Sequence, residues 1–253
     1  MKILILGGTT EARELAGKLD ARDGTEVLLS LAGRTAHPRE QGVPTRIGGF
    51  GGAGGLASFV RDENIRLLVD ATHPYADKIS ANAHRAAEET GVLFLSLRRA
   101  PWEKRPGDTW IEADTAADAV EALGERPARV FLALGRKDIA PFEAAPQHAY
   151  LVRSVDPIDP PLAVPNAIYV TARGPFSEAD DRALLERHRI GVVVSKNSGG
   201  SASYGKIAAA RALGLPVIVV RRPALPDVPS AATVAEAVAW CDHAFTGEAM
   251  RGV

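Results

Sequence analysis

Three short stretches carry residues whose types and spacing suit the handling of a phosphorylated ligand and a proton. In "ILILGGTTEARELA", Gly7 and Gly8 follow an apolar run, and Thr9 and Thr10 lead into a helical pattern beginning near Glu11. This order sets backbone N–H groups and the positive end of a helix where a phosphate would sit. It equally describes a tight strand-to-helix turn capped by threonine, and it lacks the G-x-G-x-x-G spacing of the usual dinucleotide fingerprint.

The second stretch, "SLAGRT", supplies Ser30, Gly33, Arg34 and Thr35 after the next apolar run. Folds that prefer NAD place a carboxylate here to bind the ribose hydroxyls, and none is present. Arginine and hydroxyl groups suit the 2'-phosphate of NADP, because each charge-assisted hydrogen bond contributes about 1.5–3 kcal/mol. A solvated loop arginine is the other reading. The third stretch, "LLVDATHPYADK", ends an apolar run in Thr72, His73, Pro74 and Tyr75. Pro74 fixes the turn and biases His73 toward extended backbone. Imidazole and phenol are thereby held rigidly over a bound cofactor, within reach of proton transfer, or else form a stiff loop with a hydrogen-bonded histidine. Asp77 and Lys78 are read as capping and solvating the helix that follows.

The elements that must position these groups alternate along the chain. Strands are expected over residues 2–7, 26–32, 65–71, 92–97, 129–134, 167–172, 191–196 and 216–221, with "TWIEA" and "AYLVRS" as weaker candidates. Helical patterns cover 10–19, 76–90, 115–123, 178–188, 203–213 and 234–245. Strands apolar on nearly every residue suit sheets covered on both faces. Strand and helix in turn indicate an α/β protein with two Rossmann-like, doubly wound domains of mainly parallel strands. The proline- and charge-rich segment 98–108 interrupts the alternation, so the expected domains are 1–98 and 99–253. "GGFGGAGG" reads as a local flexible or binding loop.

A chain of 253 residues, 46% hydrophobic and 24% charged, buries a substantial core, and its net charge of −1 gives no basic excess for nucleic acid. The single cysteine, Cys241, excludes an internal disulfide and argues for the cytoplasm. With Trp240 it belongs to a packed helix, as core or interface. No apolar run approaches the roughly 20 residues that cross a bilayer, and Met1 reads as the natural start of the fold. The six histidines show no metal-type clustering with cysteine or carboxylates, so no metal is expected.

Taken in order, "GGTTEARELA", "SLAGRT", "GGFGG", "DATHPYA", "LALGRKD", "TARGPFS", "SKNSGG" and "LGLPVIVVRRP" resemble the precorrin-6A reductase family of cobalamin biosynthesis, nearly end to end. The resemblance implies NADPH-dependent reduction of one double bond in the precorrin-6A macrocycle, giving precorrin-6B, in a cleft between two Rossmann-like domains. It implies that Gly8, Thr9, Thr10, Ser30, Gly33, Arg34, Thr35, His73, Pro74 and Tyr75 hold NADPH, with His73 and Tyr75 at the reacting centre.

The second half would then hold the tetrapyrrole. Such a ring is flat and fringed with carboxylates, so its site needs cations and donors around an apolar floor. Arg136, Lys137, Arg173, Lys196, Asn197, Ser198, Gly199 and Gly200 are the candidates, with Ser201, Arg221 and Arg222 beside them. Each basic residue taken singly also reads as a solvated surface charge. "SKNSGGSASYGK" resembles a phosphate-cradling loop before a helix, where a carboxylate would serve equally. A cobalt-containing substrate with NADH, or a binding module without turnover, are the alternatives. The tetrapyrrole is the expected partner, with no membrane and no nucleic acid, and the protein is expected to act as a monomer.

Overall fold

The computed structural model describes residues 1–33 and 39–249. In chain order the first elements are β1 (Lys2–Leu6), α1 (Thr10–Asp20), β2 (Glu26–Leu31), β3 (Thr45–Ile47), α2 (Ala53–Asp62), β4 (Leu67–Asp70), α3 (Asp77–Thr90) and β5 (Leu93–Leu97). Next come β6 (Thr109–Ala113), α4 (Ala116–Leu123), β7 (Arg129–Ala133), two 3-10 turns (Arg136–Asp138 and Ala140–Ala144), β8 (Ala149–Ser154) and β9 (Ala167–Thr171). The chain closes with α5 (Glu178–Arg187), β10 (Val192–Lys196), α6 (Gly205–Ala212), β11 (Pro216–Val220), β12 (Ser230–Ala231) and α7 (Val234–Ala249).

These elements form two compact units, Met1–Ala100 with Pro223–Val253, and Pro101–Arg222. Each holds one six-stranded sheet, ordered β12-β5-β4-β1-β2-β3 in the first and β6-β11-β10-β7-β8-β9 in the second. Every strand pair is parallel. The fold is therefore the expected α/β class, two doubly wound Rossmann-like sheets.

Strand periodicity divides the first core cleanly. Ile3 and Ile5 of β1 pack with Leu15 and Leu19 of α1 and with Ala237 and Cys241 of α7. Leu4 and Leu6, pointing the other way, pack with Leu56 and Val60 of α2 and with Ala83 and Ala86 of α3. In the second unit Phe131, Leu151, Val193 and Val217 join Leu185 of α5 and Ile207 of α6.

The expected second domain, 99–253, does not keep its final stretch. From Pro223 the chain groups with the first unit, where Ser230 and Ala231 pair with Ser96 and Leu97 at the outer edge of the sheet. The corresponding edge position of the second sheet is filled by β6, which pairs with β11. Each unit thus takes its sixth strand from the chain that follows the other unit's run or precedes its own, and the long segments 98–108 and 221–229 carry these crossings.

"GGFGGAGG" also differs from its reading as a loop, since its last residues open α2. A Cβ on Gly55 would stand 1.7 Å from the Phe50 carbonyl oxygen, so only glycine lets this helix start so close to the preceding turn. Among the described residues no helix is long and apolar enough to cross a membrane.

Candidate functional site

In the first sheet β1 lies between β2 and β4, with the strand order running outward in opposite directions from it. This is a topological switch point, where the loops beyond adjacent strands part and leave a crevice. Two of the three expected motifs meet here. The Thr9 side chain caps α1 by accepting from Ala12 N (3.1 Å) and donates to the Ala71 carbonyl at 2.9 Å, tying the loop after β1 to the loop after β4. Gly8 and Thr10 are exposed. Gly8 has φ +114° and open space where a side chain would project, so its backbone is accessible to a ligand.

The loop after β4 is built from below. Asp70 is only 2% exposed and accepts from Thr72 N (3.1 Å) and Thr72 Oγ1 (2.6 Å). Burial pulls the Arg98 guanidinium below its ordinary pKa, and the negative charge of Asp70 acts against that pull. Above this, Ala76 N donates to the His73 carbonyl (2.7 Å) and Tyr75 N donates to His73 Nδ1 (3.3 Å). With Nδ1 accepting, the neutral imidazole carries its proton on Nε2. Pro74 is buried, His73 and Tyr75 are half-buried, and their rings stand 5.6 Å apart. The N-cap of α3 is Ala76, without a side-chain bond; Asp77, expected to cap, sits in the first turn, exposed like Lys78.

Ser30 and Gly33 lie at the end of β2, one buried and one exposed, while Arg34 and Thr35 lie outside the described residues. Sequence reading passed over the arginine that the structure places against Ser30. Arg46 is the register partner of Ser30 on β3 and donates to its Oγ (2.9 Å) and to the carbonyls of Gly48 (2.9 Å) and Gly49 (3.2 Å). Its guanidinium lies 3.9 Å over the Phe50 ring. It thereby braces the glycine-rich turn. A narrow cleft of about 10 Å³ at the switch point is lined by Thr9, Glu11, Thr72, Pro74, Leu97 and Arg99.

The second sheet repeats the arrangement around β7, which lies between β8 and β10. Here no α-helix follows the central strand directly, only the two 3-10 turns. Arg136 and Lys137 occupy the first turn and are exposed, as is Arg173 beyond β9. Lys196, the last residue of β10, pairs with Asp138 at 2.6 Å, bridging the switch point; their side chains are 17% and 34% exposed. Asp138 has no counterpart in the sequence-based expectation, because nothing local pairs residues 58 positions apart.

The loop after β10 is held by Trp102. Asn197 Oδ1 accepts from Trp102 N (2.7 Å), Asn197 Nδ2 donates to Trp102 O (2.9 Å), and Trp102 Nε1 donates to Gly200 O (2.7 Å). The Asn197 amide therefore supports the loop. Gly199 and Gly200 both have φ +69°, and Ser198 N closes the turn onto Lys196 O at 2.9 Å. Phe176 N donates to Ala202 O (3.0 Å), which brings the "ARGPF" and "SKNSGG" loops together. Arg221 is engaged by Glu112 (2.6 Å) and Asp114 (2.8 Å) as an exposed surface group. No cluster of three or more metal-ligating side chains occurs among the described residues.

Sheet order and crevice loops define the class: a doubly wound α/β protein with two Rossmann-like units, each with polar loops gathered at its switch point. The family described as precorrin-6x reductase CbiJ/CobK matches residues 2–242, and the chain belongs to that family. A precorrin-6A reductase of Sinorhizobium sp is 59% identical over 242 residues, covering 96% of this chain and 93% of the other. The solved structure of CobK precorrin-6A reductase superposes with a TM-score of 0.92 at 48% identity, covering 96% of this chain and 97% of that one. A cobalt-precorrin-6A reductase of Priestia megaterium is 30% identical, over 87% of this chain and 90% of its own.

Proposed function

We propose that this protein reduces precorrin-6A to precorrin-6B with NADPH, in cobalamin biosynthesis in the cytoplasm, acting as a monomer. The observation that carries the assignment of roles is the contrast between the two switch points. In the first unit the central strand runs into a capped α-helix whose first turn follows an exposed glycine backbone, the arrangement suited to a pyrophosphate. In the second unit the same position offers a 3-10 turn bearing Arg136 and Lys137, suited to carboxylates on a flat ring.

NADPH, when bound, supplies the hydride. Gly8, Thr9 and Thr10 would hold its phosphates through backbone N–H groups, and Ser30, Gly33, Arg34 and Thr35 its adenosine end. The turn His73-Pro74-Tyr75 would set the nicotinamide, its stiffness coming from the buried Asp70–Thr72 bonds beneath it. Reduction also needs a proton, and His73 Nε2 and the Tyr75 hydroxyl are the groups proposed to hold it. Arg136, Lys137, Arg173 and Lys196 would grip substrate carboxylates, with Ser198, Gly199 and Gly200 offering loop donors and Asn197 keeping that loop in place. The metal-free substrate is favoured because the relative named precorrin-6A reductase shares far more of this sequence than the cobalt-precorrin one.

Mixing the protein with NADPH and metal-free precorrin-6A tests the reading. Loss of reduced nicotinamide together with a change in the ring's absorbance is expected. Binding of both without either change would leave a carrier protein instead. Arg34→Ala should weaken NADPH about 10- to 100-fold more than NADH, the effect of one charge-assisted contact.

A further inference from the structure

We propose that Arg99 is a phosphate-binding residue of the nucleotide site and that Glu11 is the residue that positions it; this rests on the nucleotide reading of the first unit. Glu11 stands in the first turn of α1, at the helix end offered to the pyrophosphate. Arg99 follows β5 by two residues and so belongs to a third strand end at the same sheet edge. Arg99 Nη1 lies 2.8 Å from Glu11 Oε2, and the two side chains are 18% and 26% exposed. Both line the narrow cleft with Thr9, Thr72, Pro74 and Leu97, at the junction of the loops after β1, β4 and β5.

A carboxylate in a helix's first turn suits the helix dipole, but at the mouth of a phosphate site its charge repels the ligand. Arg99 removes that repulsion. A guanidinium presents its N–H donors in a fixed planar fork, and that geometry matches phosphate oxygens. Pairing with Glu11 holds the long arginine side chain in one place before the ligand arrives, which lowers the ordering cost of binding. The adjacent Arg98 is engaged elsewhere, half-buried and donating to the Pro226 carbonyl at 3.1 Å. The alternative is that the pair merely fastens the segment after β5 to α1.

Titration of NADPH into wild type, Arg99→Ala, Arg99→Lys, Glu11→Gln and the Arg99→Ala/Glu11→Gln double variant, each at several salt concentrations, separates the two. If Arg99 binds phosphate, Arg99→Ala weakens NADPH about 10- to 100-fold and flattens the salt dependence, because one cation no longer meets the ligand. Arg99→Lys recovers part of the affinity. Glu11→Gln, which loses the anchor and keeps the cation, weakens NADPH about two- to ten-fold and less than Arg99→Ala, and the double variant binds no more weakly than Arg99→Ala. Unchanged or tighter binding by Glu11→Gln overturns the positioning role. A fastener would instead show equal losses in melting temperature for the two single substitutions with NADPH affinity unchanged, and that result overturns the proposal. So does Glu11→Gln weakening NADPH as much as Arg99→Ala. Should Arg99→Ala fail to fold, the Arg99→Lys and Glu11→Gln comparison still decides. A wild type that binds no NADPH removes the nucleotide reading itself and this proposal with it.

Discussion

The Thr9 hydroxyl donates to the Ala71 carbonyl across 2.9 Å while accepting from Ala12 N at 3.1 Å, so one oxygen both caps α1 and joins two strand-end loops. The two loops are neighbours because β1 and β4 are register partners, with Leu6 opposite Asp70. The crevice is thus shaped by a side chain whose one hydroxyl proton is committed within the protein.

Thr9→Ala loses both bonds, and the cap alone is worth about 0.5–2 kcal/mol. Serine keeps the hydroxyl. Thermal denaturation should show Thr9→Ala clearly below wild type and Thr9→Ser close to it, and NADPH titration should follow the same order. Equal behaviour of alanine and serine would show that the tie does not shape the site.

The glycines of α2 give a sharper contrast. A Cβ on Gly54 meets nothing within 4 Å, whereas one on Gly55 overlaps the Phe50 backbone. Gly54→Ala should be neutral or stabilise by about 0.5–1 kcal/mol, since alanine loses less entropy in a helix. Gly55→Ala must move the turn that Arg46 braces, and should lower the melting temperature. Denaturant titrations of the two variants side by side check this.

What could be read from the sequence followed from what is local. β1, β4, β7 and β10 are apolar on nearly every residue, and the glycines, threonines and histidine that follow them are contiguous with the strands, so strand ends and loop chemistry were legible together. β3 was not, because "TRI" is a sheet-edge strand with Thr45 and Ile47 exposed and no apolar run. β12 is two residues long and is a strand only by virtue of pairing with Ser96 and Leu97, far earlier in the chain. The return of the chain to the first unit therefore had no local signal. Arg46, Arg99 and Asp138 escaped for the same reason: each takes its meaning from a partner, Ser30, Glu11 or Lys196, that only the folded sheets bring near.

His148 gives the fold a predictable acid weakness. It is fully buried, its Nδ1 accepts from Ala128 N (3.2 Å), and its Nε2 lies 3.1 Å from the Gly124 carbonyl, which it reaches as a donor in the neutral ring. Protonation would put an N–H on Nδ1 facing another N–H. Burial lowers its pKa below the ordinary 6.5, outweighing the carbonyl bond that raises it. The unfolded chain thus binds this proton more readily than the folded one. The associated stability is complete above about pH 6.5 and is lost as pH falls from there toward the depressed folded value. The melting temperature of wild type should drop over that interval, while His148→Gln, though less stable at neutral pH, should fall less steeply.

Lys196 and Asp138 provide the test of the second unit. The ammonium lies 2.6 Å from the carboxylate across the switch point, both partly shielded from water. Lys196→Met leaves Asp138 as an uncompensated negative charge beside the carboxylates of the proposed substrate, so it removes an attraction and exposes a repulsion. Asp138→Asn leaves the lysine charge intact and withdraws its anchor. Loss of one charge-assisted contact is worth about 1.5–3 kcal/mol, so Lys196→Met should raise KM for precorrin-6A about 10- to 100-fold while leaving the affinity for NADPH, whose proposed site is in the first unit, unchanged. Adding Asp138→Asn to Lys196→Met should recover part of that loss, because the repulsion goes with the carboxylate. If the double variant is no better than Lys196→Met, or if NADPH affinity falls in parallel with substrate affinity, the pair is a structural brace and the carboxylates of the ring are gripped elsewhere.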